Sequence, residues 1–314
     1  MVPMHICVLS GGPGGAAFVR GLVDHVAGSG DLAGSTVSVI VNTGDDISLW
    51  GLRLCPDLDR HVEALSPTPT AAASGDVVRR ELDDLGAEPD WYPITDAEVA
   101  ASLARTSWLA RGDGLAEVTE RLARRRGVPE WVRVLPMSDV PVETHAVLED
   151  DEGQHAVHVQ EWQRGPGRAP SRFVVAGLDR ATPAPGVLEA LRGADVVLLA
   201  PSDPVLSLGI VLGVPGVRDA VRGTTAPVVG TSPGGLPSLT ASLAALGEAT
   251  DGTGARNVYE GLLDGWLADP QDPAPTRSTP PTSTAAEPIT LASPEAAART
   301  AARALELGRT GAHA

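Results

Sequence analysis

The 314-residue sequence predicts an α/β protein: a Rossmann-like, doubly wound, mostly parallel sheet carrying an inserted smaller α+β region. Three observations predict it. The chain opens with an apolar strand, a glycine loop, a helix and a second β-branched strand. Apolar runs return at 195–200, after its opening Asp195, and at 227–230, as parallel strands buried on both faces require. Between them, about 131–175, the runs are short and split by turn residues, a pattern of antiparallel or mixed pairing.

Taken in order, Ile6–Leu9 reads as the first strand, ending at Ser10-Gly11-Gly12. Phe18, Val19, Leu22, Val23 and Val26 fall at helical spacing, so 16–26 is expected to be helical. Val37–Val41 is the second strand. Helices are expected near 76–85, 96–111 and 115–125. The inserted layer should use 132–135, 145–148, 155–162 and 173–175 as strands. Further helices are expected at 209–213, 217–222, 236–246 and 257–268. In domain terms, residues 1–268 form the core, with about 90–175 inserted. The Pro/Thr/Ala-rich stretch 269–286 reads as a flexible loop, and 287–314 as a returning strand (288–291) and helix. Ser293 is placed to cap that last helix, with Pro294 at its first position.

Composition excludes several classes. The formal charge is −16, and all 24 basic residues are arginine, which argues against non-specific nucleic-acid binding. No apolar run is long enough to span a bilayer, and the first residues lack a basic leader, so no membrane partner and a cytoplasmic location are expected. The two cysteines, Cys7 and Cys55, form no CxxC pair that would mark a zinc site.

Three blocks carry chemistry. In Ser10-Gly11-Gly12-Pro13-Gly14-Gly15-Ala16-Ala17, Gly11, Gly12, Gly14 and Gly15 let backbone N–H groups approach an anion, and a following helix adds positive potential. The loop also fits G-x-G-x-x-A, although Asn42 stands where strand two of a dinucleotide-binding unit would end in an acid. The second block, 41–59, places Asn42, Thr43, Asp45, Asp46, Asp57 and Asp59 past the end of strand two, the edge where open α/β sheets bind ligands. Such carboxylates either form a solvated acidic loop or share a magnesium ion with phosphate oxygens. The third, Leu199–Pro204, presents Ser202 and Asp203 at a strand end. His61, His145, His158, Trp91, Trp108 and Trp162 read as structural residues, and Trp50 as a possible stacking surface for a flat ring.

Together these blocks resemble the 2-phospho-L-lactate transferase family of coenzyme F-420 biosynthesis. The resemblance rests on LSGGPGG (9–15), VNTGDDISLWGLRLCPDLD (41–59), LPMSDVPVETH (135–145), VQEW (159–162), LAPSDPVLSLG (199–209), VPGVRDA (214–220) and LLDGWL (262–267), in the family's order along nearly the whole chain. It implies a homodimer that moves a phospho-linked three-carbon acid, enolpyruvyl or lactyl, from its guanosine diphosphate conjugate to the deazaflavin Fo. GMP leaves, and magnesium assists. It further implies that Gly11, Gly12, Gly14 and Gly15 line the diphosphate, with Asn42 and Thr43 beside it. Asp45 and Asp59 would hold magnesium, Asp46 and Asp57 would orient or deprotonate the Fo hydroxyl, and Ser202 and Asp203 would face the nucleotide.

The sequence departs from the family pattern where it would supply charge. Ala17 and Ala97 replace basic residues, the loop after Pro233 is shortened and loses a lysine, and Asp203 replaces an asparagine. Arg20, Arg53 and Arg105 are the candidates to compensate. The alternatives are a non-catalytic nucleotide-binding or nucleotide-sugar-binding regulator, favoured by the missing basic residues, and a dinucleotide oxidoreductase, suggested by the glycine pattern alone.

Overall fold

The computed structural model describes residues 3–68, 75–151, 153–273 and 283–311. Its twelve strands are β1 (His5–Ser10), β2 (Thr36–Val41), β3 (Ile47–Leu49), β4 (Leu52–Leu54), β5 (Val132–Pro136), β6 (Glu143–Asp150), β7 (Gly153–His158), β8 (Arg172–Ala176), β9 (Val196–Leu199), β10 (Val228–Thr231), β11 (Gly265–Ala268) and β12 (Ser283–Ala286). Its twelve α-helices are α1 (Gly12–Gly28), α2 (Pro56–Leu65), α3 (Val77–Asp84), α4 (Asp96–Leu109), α5 (Leu115–Arg125), α6 (Val159–Arg164), α7 (Val187–Arg192), α8 (Leu208–Gly213), α9 (Val217–Gly223), α10 (Leu239–Leu246), α11 (Gly252–Val258) and α12 (Pro294–Gly311).

Seven strands form one parallel sheet in the order β12-β11-β10-β9-β1-β2-β5. Side chains alternate across it. Ile6 and Val8 of β1 pack with Phe18, Val19 and Leu22 of α1 and with Ala301, Ala304 and Leu305 of α12. Cys7 and Leu9 face the opposite layer, with Val187, Leu191, Leu208, Val211 and Val217. The strand order reverses between β1 and β9. Connections run outward on either side, so a crevice opens at the carboxyl ends of these two neighbours. A three-stranded antiparallel sheet, β7-β6-β8, sits beyond that edge, and a β3–β4 hairpin stands next to it. Among the described residues no helix is long and apolar enough to cross a membrane.

The α/β architecture holds as the sequence predicts, with local corrections. Residues 132–136, expected in the inserted layer, instead pair parallel with β2 as an edge of the main sheet. The run 155–162 divides: it is strand to His158, and then the His158 side chain accepts a hydrogen bond from Gln160 N–H and starts α6. The apolar stretch 257–268, expected helical, ends its helix at Val258 and becomes β11, because Trp266 and Leu267 fill the core beside β10. The last strand lies at 283–286, inside the stretch expected to be a loop, and 288–291 is irregular. The loop residues 274–282 lie outside the described residues. The closing helix is capped as read: Ser293 Oγ accepts from Ala296 N–H.

Candidate active site

The glycine segment is less a loop than a helix start. Helix α1 begins at Gly12, with Gly11 as its N-cap and Pro13 in its first turn, and no side chain caps it. Its first N–H groups therefore face the crevice without an internal acceptor. Gly12 has φ +65° and open space where a Cβ would stand. The other glycines permit close packing of the two switch-point loops. A Cβ on Gly15 would lie 2.3 Å from Ser10 Oγ and 2.7 Å from Ser202 Oγ. One on Gly14 would lie 2.5 Å from Pro201 O, and one on Gly11 would lie 2.7 Å from the Ser207 Cβ. Ser202 itself is buried, and its Oγ accepts from Gly11 N–H at 3.1 Å. Ser202 thus ties the β9 loop to the cradle.

The acidic block folds into two centres. In the first, buried Asn42 bridges two carboxylates: its Nδ2 donates to Asp45 Oδ1 at 2.9 Å and to Asp57 Oδ2 at 3.2 Å. Asp45 Oδ2 accepts from Gln160 Nε2 at 3.0 Å, and Asp57 Oδ1 from Arg60 Nη1 at 3.2 Å. Burial, and then the neighbouring Asp57 charge, push the Asp45 carboxyl well above the usual carboxylate range. Helix α2 places Asp57. Leu58, Val62 and Leu65 bury one face of it, and this leaves Asp57 and His61 one turn apart. His61 Nδ1–H donates to Asp57 O at 2.6 Å, and Ser10 Oγ–H donates to His61 Nε2 at 2.7 Å. Burial holds His61 below its ordinary pKa and so neutral, as these roles need. The chain Ser10–His61 therefore pins the Asp57 turn to the end of β1. The cradle adjoins this centre: a Gly11 Cβ would lie 3.1 Å from the Asn42 Cβ.

The second centre is closed by charge. Asp46, fully buried, accepts from Arg53 Nη2 at 3.2 Å and from the Cys55 thiol at 3.0 Å, both on Oδ2. Burial raises its pKa to about 7, against the pull of Arg53. Arg105, 1% exposed, donates to Asp59 Oδ1 and to Arg53 O. Burial opposes its charge, yet Asp59 holds its pKa above the ordinary value. Arg53 also reaches Glu143 Oε1 at 3.3 Å.

The structure places the expected site residues as follows. The structure gathers Asp45 with Asp57, whereas Asp59 is engaged by Arg105. Asp46 Oδ2 is held by Arg53 and Cys55, and its buried Oδ1 has no partner among the described residues. In Asp203, Oδ1 accepts from Val205 and Leu206 N–H, and Oδ2 from Ser238 and Ser242 hydroxyls. Arg53 and Arg105 are consumed internally, and Arg20 pairs with Asp24 and the Ala64 carbonyl. Asn42 acts as a bridge beneath the site, and Thr43, buried, leaves Oγ1 without a partner. Trp50 turns the β3–β4 hairpin at φ +51°, with its ring edge-on to Tyr92 at 6.5 Å. Sequence reasoning missed Arg60, Gln160 and Arg164, whereas His61, read as structural, pins α2 to β1. Gln160 lies in the quoted VQEW motif, and helical spacing puts Arg164, two residues past it, on the same face.

Among the described residues no group of three or more His, Cys, Asp or Glu is arranged to hold a metal alone. Two buried carboxylates bridged only by amides, with one half-exposed arginine at their rim, fit a cation that completes its shell from substrate oxygens and water.

A doubly wound sheet with a glycine-lined helix start at its switch point is the arrangement in which open α/β proteins hold phosphorylated ligands. The profile of the family described as 2-phospho-L-lactate transferase CofD matches residues 6–305. A phosphoenolpyruvate transferase of Thermobifida fusca is 45% identical over 289 residues, covering 86% of this chain and 87% of that protein. One from Mycolicibacterium smegmatis is 38% identical over 97% of this chain and 98% of its own length. The crystal structure of a UPF0052-family protein from Bacillus halodurans shares the fold, with TM-score 0.64 at 18% identity over 97% of this chain and 99% of that one. The chain belongs to the 2-phospho-L-lactate transferase CofD family and is a transferase.

Proposed function

We propose that this transferase moves a phospho-linked three-carbon acid from its guanosine diphosphate conjugate to the ribityl hydroxyl of Fo, in coenzyme F-420 biosynthesis. The relatives named phosphoenolpyruvate transferase favour the enolpyruvyl donor over the lactyl one. The observation that carries the reading is the under-compensated Asp45–Asp57 pair beside the glycine cradle. Without a positive charge between them, such carboxylates would repel a diphosphate.

The hydroxyl oxygen bonds to the phosphorus that carries the three-carbon acid, and the bond from that phosphorus to the GMP oxygen breaks. The open N–H groups of Gly12 and Gly14 at the start of α1 stabilise charge on the diphosphate. A magnesium ion, when bound by Asp45 and Asp57, supplies neutralisation of the diphosphate and of the departing GMP. Asp57 is the carboxylate we assign to receive the hydroxyl proton, and the Ser10–His61 chain keeps its turn in place. The family's homodimer is part of the same reading.

The test is direct. Purified protein is mixed with magnesium, Fo and each guanosine diphosphate conjugate, and GMP and the deazaflavin product are followed. Product from the enolpyruvyl donor is expected. No product from either donor would refute the proposal.

A further inference from the structure

We propose that Arg60 and Arg164 form a two-guanidinium clamp for the carboxylate of the transferred three-carbon acid. The inference rests on the transferase reading above and deepens it by naming the residues that select the donor.

The two arginines end one continuous hydrogen-bonded chain. Arg60 Nη1 donates to Asp57, Asn42 joins Asp57 to Asp45, and Gln160 Nε2 donates to Asp45. Gln160 Oε1 then accepts from Arg164 Nη1 at 2.7 Å, and the Gln160 backbone carbonyl accepts from the same nitrogen at 2.8 Å. The guanidinium of Arg164 stacks over Tyr92, 4.8 Å from the ring centroid, which fixes its plane. Each arginine thus spends Nη1 on the protein. Among the described residues Nε and Nη2 of both are left for a ligand. Arg60 is 42% exposed and stands at the rim, and Arg164 is exposed as well. The pair is also electrostatically linked. Burial lowers the Arg164 pKa, and the Arg60 charge lowers it further. Two guanidinium groups at the two ends of this chain, each with more donors than its protein partners use, offer a place that an anion fills.

Which anion follows from what remains unmatched. A donor of this class carries a diphosphate and a carboxylate. The diphosphate has the glycine cradle and the cation site. The carboxylate must pass Asp45 and Asp57, which repel it, so it needs cations that the cradle does not provide. Arg20, Arg53 and Arg105 are occupied elsewhere. Arg60 and Arg164 offer planar paired donors of the geometry carboxylates accept. They take the role left open by the basic positions this chain lacks.

The experiment compares two ligands that differ only in the carboxylate: the lactyl conjugate of guanosine diphosphate and the ethyl ester of guanosine diphosphate. Their dissociation constants are measured by calorimetry with magnesium, for the wild type and for Arg60→Gln, Arg164→Gln and Arg164→Lys. Each glutamine variant is expected to weaken the carboxylate ligand roughly ten- to a hundredfold. The ethyl ester should change by no more than about twofold, because it lacks the group being clamped. Arg164→Lys should fall between, as it keeps the charge without the fork. Should Arg164→Gln fail to fold, Arg60→Gln and Arg164→Lys carry the comparison. Equal losses for both ligands would overturn the clamp and make the arginines diphosphate or scaffold contacts. No loss for either ligand would overturn it as well. Absence of turnover by the wild type would sink the transferase reading instead, and this binding comparison does not depend on turnover.

Discussion

Two acid centres arise from one nineteen-residue stretch, and they are built to opposite ends. Around Asp46 and Asp59, two arginines and a thiol each meet one carboxylate oxygen, and Asp46 Oδ1 is left without a partner among the described residues. Around Asp45 and Asp57, the partners are two amides and one rim arginine. Burial is similar for Asp45, Asp46 and Asp57, so burial does not separate the centres. Compensation does. On the proposed reading, the arginine-paired centre supports the fold, and the amide-bridged centre receives a cation and a substrate.

The comparison breaks most clearly at turnover. Asp45→Asn and Asp57→Asn are expected to lower magnesium-dependent GMP release by on the order of a hundredfold or more. Their melting temperatures should hold or rise, since a buried like-charge contact is relieved. Asp59→Ala should show the reverse priority. It leaves buried Arg105 without its carboxylate, and breaking such a pair costs about 3–5 kcal/mol. Urea unfolding of that variant checks it. A stability unchanged from wild type would remove Arg105–Asp59 from the scaffold.

The cradle gives the next effect. Gly15→Ala drives a methyl into the Ser10 and Ser202 hydroxyls and should cost about 1–3 kcal/mol together with nucleotide affinity. Gly12→Ala meets no atom and pays only the left-handed backbone, about 1–2 kcal/mol. Calorimetric GDP binding should rank Gly15→Ala below Gly12→Ala.

Smaller still is a pH effect at α6. His158 takes a hydrogen bond on Nδ1 from Gln160 N–H and gives one from Nε2–H to Asp46 O, so the fold holds it neutral. Burial, then His145, lower its pKa to about 4. The unfolded chain binds the proton at about 6.5. Stability is therefore full above that value and declines as pH falls toward 4. His158→Gln should flatten this decline in denaturant melts taken between pH 7 and 4. A slope equal to wild type would contradict the assignment.

Much of this was legible in the sequence, for identifiable reasons. Strands β1, β2 and β9 are continuous apolar runs that end in glycine, asparagine or proline, so both their positions and the edge carrying ligands follow from pattern. The residues 257–268 misled because strand β11, buried on both faces, has no alternation, and apolar composition alone does not separate it from a helix. Residues 132–136 misled because pairing partners are set by tertiary contact with β2. Within the site, the carboxylates were visible, but not their pairing. Asp59 and Asp45 are told apart by Arg105, which lies 46 residues away on α4, and by Gln160, 115 residues away on α6. No local spacing encodes those contacts. The partners of Asp203 were hidden for the same cause: Ser238 and Ser242 satisfy it from α10 and its N-terminal boundary.

The partition of the acids is tested most directly by manganese titration, with GDP present, of the wild type and of Asp45→Asn, Asp57→Asn and Asp59→Asn, followed by electron paramagnetic resonance. Loss of bound manganese in the first two variants, with retention in whatever fraction of Asp59→Asn is folded, is the predicted result. Retention in Asp57→Asn with loss in folded Asp59→Asn would contradict it.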